Sequence, residues 1–270
     1  MSGLRVRPHD PTADGTVLDV TPASAGWKHV GFRVVKLANG QRYSNRETGR
    51  ETCLVIVAGS ADVHAGNAHF VHVGTRATPF DAKAPGAVYV PAGLSYTVTA
   101  WGPVELAVCT APGSGEGLPR LIAEASMSRE VRGSGTNTRY VRNILPQTEP
   151  ADSLLVVEVI TPGGHWSSYP PHKHDTAAPD AETALEETYY HRLNPPQGFA
   201  LQRVYTDDRT LDESVAVEDG DVVMVPRGYH PVGAPHGYDL YYLNVMAGPN
   251  RQWIFRNDPA HDWIARRPAG

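Results

Sequence analysis

The chain has 270 residues, which is enough for one large all-β domain or for two domains of ordinary size. Hydrophobic residues make up 41% and charged residues 20%, the balance of a soluble globular protein. The formal net charge of -5 argues against a general nucleic-acid binder, which needs a basic face. An anionic substrate would therefore require locally placed Arg or Lys side chains.

Cysteine usage and the N-terminal residues bear on the cellular compartment. Cys53 and Cys109 are the only cysteines, too few for a disulfide framework, so we expect two buried free thiols in a reducing environment. The first residues lack the apolar core of a signal peptide. No apolar run approaches the roughly 20 residues needed to span a bilayer. These features predict a cytoplasmic protein with no membrane partner.

Short β-prone runs rich in Val, Tyr and Thr follow one another along the chain, separated by Gly and Pro. In chain order they cover residues 52–57, 87–90, 95–100, 154–160, 187–191, 200–206, 221–225 and 240–246. Such spacing is typical of a β-sandwich or barrel. Helix signals are weak and confined to residues 118–125 and the C-terminal tail. We therefore predict an all-β fold with few short helices.

An internal repeat is the strongest signal of organisation. The matching segments are residues 50–54 with 186–190, and residues 86–95 with 220–230. Their order and spacing also agree, because Glu51 precedes Pro91 by 40 residues and Glu187 precedes Pro226 by 39. The same β-unit is therefore predicted to occur twice.

The repeat predicts two tandem β-barrels in one chain. We place the N-terminal barrel over residues 1–130 and the C-terminal barrel over residues 131–270, with a C-terminal strap around residues 253–264. A Gly/Ser-rich stretch at residues 133–138 fits a flexible linker, a substrate loop or a crossing between the barrels.

An H-x-H pattern, His172-Lys173-His174, precedes the second copy of the repeat. Side chains two apart on a strand face the same side, so both imidazoles can point into one barrel while Lys173 faces away. Glu187 opens the next β-prone run, and His230 follows a Pro-x-Gly turn. Three imidazoles and one carboxylate suit Zn, Mn, Fe, Co or Ni rather than Ca or Mg. We predict one divalent transition-metal ion, with Zn and Mn as the leading candidates.

The first copy of the repeat differs at these positions. It keeps the acid as Glu51 but has Ser95 where the second copy has His230, and it has no His between Leu37 and Arg50. We therefore predict that the N-terminal barrel lacks metal ligands.

On these motifs the chain resembles the cupin superfamily, which implies two jelly-roll barrels. Residues 175–186 separate His174 from Glu187, whereas the general cupin motif has three or four residues there. We interpret residues 175–181 of this insert as an exposed loop at the barrel mouth. Glu187 is preferred to Glu186 as the ligand because the repeat aligns it with Glu51.

A closer resemblance is to the 5-deoxy-glucuronate isomerase family of bacterial inositol catabolism. The similar segments are residues 166–175, 185–190, 198–206, 225–232 and 241–248. The resemblance implies an aldose–ketose isomerisation of 5-deoxy-glucuronate, a small deoxy-uronate sugar, to 2-deoxy-5-keto-gluconate. In such a reaction a metal stabilises an enediolate, and a base moves the proton.

The groups that serve the substrate are less well defined by the sequence. Tyr189 and His191 share strand parity with the proposed carboxylate ligand and are candidate catalytic residues, with a metal-bound hydroxide as the alternative base. Arg203 is a candidate for the substrate carboxylate, because a guanidinium donates two hydrogen bonds to it. If Arg203 points outward instead, Gln202 points into the barrel. Tyr242 is a further substrate-binding candidate.

Two functions of other classes fit the same residues, since a fold does not determine function. One is a metal-dependent cupin dioxygenase, which oxygen consumption would reveal. The other is a non-catalytic sugar-binding bicupin, which would bind a sugar without turnover. An isomerase of 4-deoxy-5-keto-uronate is disfavoured by the long spacing between His174 and Glu187. The sequence is compatible with a homo-oligomer.

Overall fold

The computed structural model describes residues 3–266, and β-strands dominate it. The described residues fold into two compact units, here called the N-terminal unit (residues 8–128 and 143–156) and the C-terminal unit (residues 3–7, 129–142 and 157–266). Strands are numbered β1 to β23 in chain order. The first, β1 (Arg5–Val6), pairs with a strand of the C-terminal unit. The predicted division at residue 130 stays a prediction.

The N-terminal unit is built on one antiparallel sheet. Its elements are β2 (Thr16–Val20), α1 (Pro22–Ala25), β3 (Gly31–Leu37), β4 (Arg42–Arg46), β5 (Arg50–Ala65), β6 (Ala68–Arg76), β7 (Gly86–Val90), β8 (Ser95–Pro112), β9 (Arg120–Ile122) and a 3-10 helix at Glu124–Ser126. The strand order is β2-β3-β8-β5-β7-β9, with β4 also paired to β8 and β6 to β5. Aliphatic side chains fill the core, among them Leu54, Ile56 and Leu106, which are fully buried.

Glu51 lies in the interior of the N-terminal unit, where its carboxylate forms hydrogen bonds with backbone amides. Its carboxylate accepts hydrogen bonds from the hydroxyl of Tyr89 at 2.6 Å and from the amides of Asp152 at 2.8 Å, Ser153 at 2.6 Å and Leu154 at 2.6 Å. A buried carboxylate is stable only when its oxygens are satisfied in this way. Glu51 therefore fixes the loop at residues 152–154.

The remaining elements, from residue 129 onward, are also mostly strands. They are β10 (Arg129–Arg132), a 3-10 helix at Gly135–Asn137, β11 (Arg139–Leu145), β12 (Leu155–Thr161), β13 (Trp166–Ser167), β14 (His172–Lys173), β15 (Asp175–Ala178), β16 (Glu182–Ala184), β17 (Glu186–Asn194), β18 (Phe199–Tyr205), β19 (Asp212–Glu218), β20 (Val222–Val225), β21 (Val232–Gly233), β22 (Asp239–Ala247), β23 (Arg256–Asn257) and a 3-10 helix at Asp262–Arg266.

Two sheets of the C-terminal unit enclose its interior. One has the order β1-β20-β17-β22-β12-β11-β10 and the other the order β13-β21-β18-β19. His191 of β17 and Gln202 of β18 are hydrogen-bonded at 3.1 Å, so the inner faces of the two sheets meet. Side chains that alternate inward on β17, β18 and β22 therefore share one buried space.

The predicted all-β fold with few short helices is confirmed. The helix predicted at residues 118–125 is wrong, because that stretch forms β9 and the 3-10 helix at Glu124–Ser126. The Gly/Ser-rich stretch is the turn of the β10–β11 hairpin. Cys53 and Cys109 are buried free thiols, as predicted. No helix in the described residues is long and apolar enough to cross a membrane.

Candidate metal centre

Four predicted ligands reach the interior of the C-terminal unit from three places in the chain. His172 opens β14 and His174 follows it, Glu187 lies on β17, and His230 follows the turn between β20 and β21. All four are buried, with at most 7% of the residue exposed. The register of β17 with β20 pairs Glu187 with Val225, which brings the carboxylate to the start of the turn that carries His230.

The structure brings these four side chains together. The candidate ligand nitrogens of His172, His174 and His230 all lie within 4.8 Å of one another. Glu187 Oε2 lies 3.1 Å from His174 Nε2 and 3.2 Å from His230 Nε2. Among the described residues, His172, His174 and His230 form the one group of three or more His, Cys, Asp or Glu side chains close enough to share an ion, and Glu187 adjoins that group through its contacts with His174 and His230.

The donor atoms of this cluster fit a divalent transition metal. His230 Nδ1 donates to the carbonyl of Gly228 at 2.8 Å, so its Nε2 carries the lone pair. That buried Nε2 and the buried Nδ1 of His174 have no hydrogen-bond partner. Buried polar atoms without partners are costly, and metal coordination would relieve that cost. Three imidazoles with one carboxylate make a donor set typical of Zn, Mn or Fe sites.

The electrostatics of the cluster favour neutral imidazoles at two positions. Burial lowers the pKa of His172 well below its usual value, and the neighbouring imidazoles of His230 and His174 lower it further. Burial also lowers the pKa of His230. At His174 burial is the largest single influence and also lowers the pKa, but the hydrogen bond and negative charge of Glu187, together with backbone hydrogen bonds, outweigh it and the pKa is raised. Neutral imidazole is the form that binds a metal ion.

The insert between His174 and Glu187 contacts the turn that carries His230. The predicted exposure holds for residues 176, 177 and 179–181, but the segment is not a loop, because residues 175–184 form the β15–β16 hairpin. Lys173 is buried, and its Nζ contacts Asp175 Oδ1 at 2.5 Å and Glu182 Oε1 at 3.2 Å. Asp175 Oδ2 also accepts a hydrogen bond from the amide of Gly228 at 2.7 Å. The hairpin therefore holds the turn that carries His230.

A second layer of polar side chains lies beside the imidazoles. The ring of Tyr189 lies 5.6 Å from that of His230 and 4.9 Å from that of Tyr242. The hydroxyl of Tyr189 is hydrogen-bonded to Ser168 Oγ at 2.9 Å, and that of Tyr242 to Ser167 Oγ. Burial raises the pKa of Tyr242 and holds that of Tyr189 well above its usual value. Both phenols are therefore protonated at neutral pH.

His191 and Gln202 lie in the same layer. Both are buried, and the Nε2 of His191 donates to the amide oxygen of Gln202 at 3.1 Å. The amide nitrogen of Gln202 in turn donates to the carbonyl of His230 at 3.4 Å. Burial lowers the pKa of His191 to about 3, so this imidazole is neutral at physiological pH.

Comparison with known proteins identifies the family. A model of the KduI/IolB family matches residues 4–264, nearly the whole chain. The chain belongs to the KduI/IolB family. A curated relative from Geobacillus thermodenitrificans (strain NG80-2), named 5-deoxy-glucuronate isomerase, is 52% identical over 264 residues, which cover 98% of this chain and 96% of the relative.

Solved structures agree with this assignment. The crystal structure of an IolB-like protein from Salmonella typhimurium LT2 is 52% identical, with a TM-score of 0.94, and the match covers 97% of this chain and 99% of that one. The oxalate decarboxylase of Lactobacillus farciminis is 14% identical, with a TM-score of 0.67 and coverage of 99% and 91%. That distant likeness concerns the fold alone, and it confirms the predicted bicupin architecture.

Not every predicted residue of this KduI/IolB-family chain reaches the imidazoles. Arg203 alternates with the buried Gln202 on β18 and faces outward. Its Nε and Nη2 donate hydrogen bonds of 2.7 Å each to the carboxylate of Asp212, and its guanidinium stacks on Tyr205. Of the two orientations left open by the sequence, the structure shows the one with Gln202 inward.

Two side chains near the cluster were not predicted from the sequence as site residues. Phe255 packs its ring 4.6 Å from that of His172, so the C-terminal strap contacts a candidate ligand. Arg139, at the start of β11, donates to the carbonyl of Tyr169 at 3.1 Å. It lies outside every repeated motif. Its position directly after the Gly/Ser-rich stretch was the available signal.

Proposed function

We propose that this chain is a 5-deoxy-glucuronate isomerase, an enzyme of myo-inositol catabolism that forms 2-deoxy-5-keto-gluconate. The observation that carries the proposal is a relative of that name at 52% identity over 98% of the chain. The buried cluster supports it. In this proposal His172, His174, Glu187 and His230 hold one divalent ion, with Zn or Mn as the native metal.

The reaction converts a hydroxy-aldehyde to a hydroxy-ketone. A base takes the proton from the carbon beside the aldehyde and returns it to the former aldehyde carbon, while a second proton moves from the neighbouring hydroxyl to the former aldehyde oxygen. When bound, the metal ion supplies positive charge that stabilises the developing negative charge on the two substrate oxygens. The chain's own residues must orient the sugar, exclude water and move protons.

Tyr189 is the proposed proton-transferring residue. Its ring lies beside that of His230, and its hydroxyl is positioned by Ser168. Since burial keeps this phenol protonated, Tyr189 Oη holds a proton that it can deliver to a substrate oxygen and recover afterwards. Replacement by Phe removes that proton, and the loss typical of general acid catalysis is about 10²–10⁴-fold in kcat.

The neighbouring side chains hold this arrangement in place. His191 stacks on Tyr189 with ring centroids 5.9 Å apart, and it is the second proposed catalytic residue. Gln202 links His191 to the backbone of His230. Tyr242 contacts Tyr189 and is proposed to bind the sugar.

The wider setting of the enzyme is also a proposal. The absence of a nucleic-acid partner agrees with the net charge of -5, and a sugar-acid substrate and a cytoplasmic location agree with the family. We propose in addition that the chain forms a homo-oligomer.

The direct experiment incubates metal-replete protein with 5-deoxy-glucuronate and follows the aldehyde signal by proton NMR. We expect conversion to the ketose, abolished by a chelator and restored by added Mn²⁺ or Zn²⁺. Tyr189→Phe should keep its metal and lose most of its turnover. A metal-replete wild type that leaves the sugar unchanged would refute the proposal, and oxygen uptake with an aromatic substrate would favour a dioxygenase.

A further inference from the structure

We infer that the guanidinium of Arg139 binds the carboxylate of the sugar acid and makes the site selective for uronates over neutral sugars. The inference rests on the proposed function and extends it to the end of the substrate away from the reacting carbons.

A sugar acid carries a permanent negative charge, and the chain as a whole is acidic. The site must therefore present a cation of its own. The buried cation Lys173 is paired with Asp175 and Glu182. Arg203 is paired with Asp212 on the outer face. Both cations are already neutralised by carboxylates.

Arg139 is tied to the backbone that builds the site. Its Nη1 donates to the carbonyls of Tyr169 at 3.1 Å and Asn137 at 3.2 Å. The two residues directly before Tyr169 are Ser167 and Ser168, which hold the hydroxyls of the interior tyrosines. The chain then continues from Tyr169 to the first candidate ligand, His172. One short segment therefore positions the tyrosines, a metal ligand and Arg139.

The charge of Arg139 is not neutralised within the described residues. The side chain is half-buried, and no Asp or Glu of the described chain forms an ion pair with it. Of its five donor hydrogens, only those on Nη1 are used, so Nε and Nη2 are available. A carboxylate accepts two parallel hydrogen bonds from such a fork.

The electrostatics of the site agree with this geometry. Burial lowers the pKa of Arg139, as expected for a cation that has lost water without gaining a carboxylate. Its positive charge also contributes to lowering the pKa of His172, after burial and the other imidazoles. It opposes the rise that burial causes in the pKa of Tyr242. The guanidinium is therefore within electrostatic reach of the candidate metal ligands and the tyrosines.

The test compares two substrates that differ only at the carboxylate, 5-deoxy-glucuronate and its neutral congener 5-deoxy-glucose. Arg139→Met should raise KM for the uronate about 10- to 100-fold and leave KM for the neutral sugar unchanged. Arg139→Lys should recover part of the loss, because it restores the charge but not the fork. Arg209→Met, at an exposed Arg in the turn after β18, is the matched control and should behave as wild type.

A structural role for Arg139 predicts a different result. If Arg139→Met raised KM equally for both substrates, or left KM for the uronate unchanged, the inference would be overturned. Metal content, measured on each variant, shows whether the neighbouring imidazoles are intact.

A binding measurement separates this inference from the isomerase proposal. Calorimetric titration of metal-replete protein with D-glucuronate should give a Kd that rises at least about 10-fold in Arg139→Met. If the wild type failed to turn over 5-deoxy-glucuronate but bound D-glucuronate through Arg139, the proposed function would fall and this inference would stand. Equal binding in both proteins, or no binding by the wild type, would overturn it.

Discussion

His191 is an ionisable side chain held in a space where its charged form is penalised. Burial lowers the pKa of its imidazole to about 3, against about 6.5 in an unfolded chain. The unfolded state therefore takes up a proton as the pH falls below 6.5, while the folded state does not. The stability present above pH 6.5 is lost progressively between 6.5 and 3.

His191→Gln should remove this part of the acid sensitivity. Between pH 7.5 and 5.0 the buried imidazole is expected to cost about 2 kcal/mol of the free energy of unfolding, and glutamine does not titrate. The nearest ionisable groups, Tyr189 and Tyr242, keep their protons throughout this range, since burial raises both pKa values. Urea unfolding of both proteins after removal of metal with a chelator, at the two pH values, measures how much unfolding free energy each one loses. An equal loss in wild type and variant would contradict a buried neutral imidazole.

At the residue scale, the sequence predicted which side chains cluster better than it predicted which way a strand faces. His172, His174, Glu187 and His230 could be found because the H-x-H and the repeat fix their spacing. The parity of β18 had no such anchor, so the sequence left the orientation of Arg203 open. Arg139 reaches the site through a hydrogen bond to a backbone carbonyl 30 residues away, and no sequence pattern records such a contact.

At the scale of elements, one position of the repeat has two uses. Glu187 contacts two imidazoles, whereas Glu51 accepts hydrogen bonds from three backbone amides and a tyrosine hydroxyl. The alignment of the two acids was predicted from spacing alone. The structural use of Glu51 was not, because the amides that it binds lie about a hundred residues further along the chain.

Glu51→Gln tests the structural use of this acid. The variant replaces a charged acceptor by an amide whose NH₂ group faces backbone donors, so we expect a loss of about 2–4 kcal/mol of unfolding free energy. The urea midpoint of the N-terminal unit should fall, while metal content is retained. Glu116→Gln, at an exposed glutamate, is the matched control. An unchanged midpoint for Glu51→Gln would show that its hydrogen bonds contribute little.

The β15–β16 hairpin shows why the insert was misinterpreted as a loop. The tip of the hairpin is exposed, as predicted, but its base is held by ion pairs of the buried Lys173 with Asp175 and with the buried Glu182. Charged residues are rarely buried unless they are paired, and pairing across several residues is not visible in a hydrophobicity pattern. The same limit affected residues 118–125, where tertiary pairing of β9 with β7 overrides a weak helical preference.

At the scale of the molecule, the two units differ in what fills them. The N-terminal unit has a core of mainly aliphatic side chains, whereas the C-terminal unit contains the imidazole cluster, the buried Tyr189 and Tyr242 beside it, and the His191–Gln202 pair. The bicupin fold was predictable because the repeat was visible in the sequence. We assign the proposed isomerisation to the C-terminal unit, since the imidazole cluster lies there.

Metal titration of the chelated protein tests this assignment most directly. Activity on 5-deoxy-glucuronate should rise with added Mn²⁺ or Zn²⁺ and reach a plateau at one ion per chain. The exposed control His236→Ala should follow the wild type, and His230→Ala should stay inactive and metal-free while the N-terminal unit remains folded. Full activity in the metal-free protein, or metal retained by His230→Ala at wild-type affinity, would contradict the account.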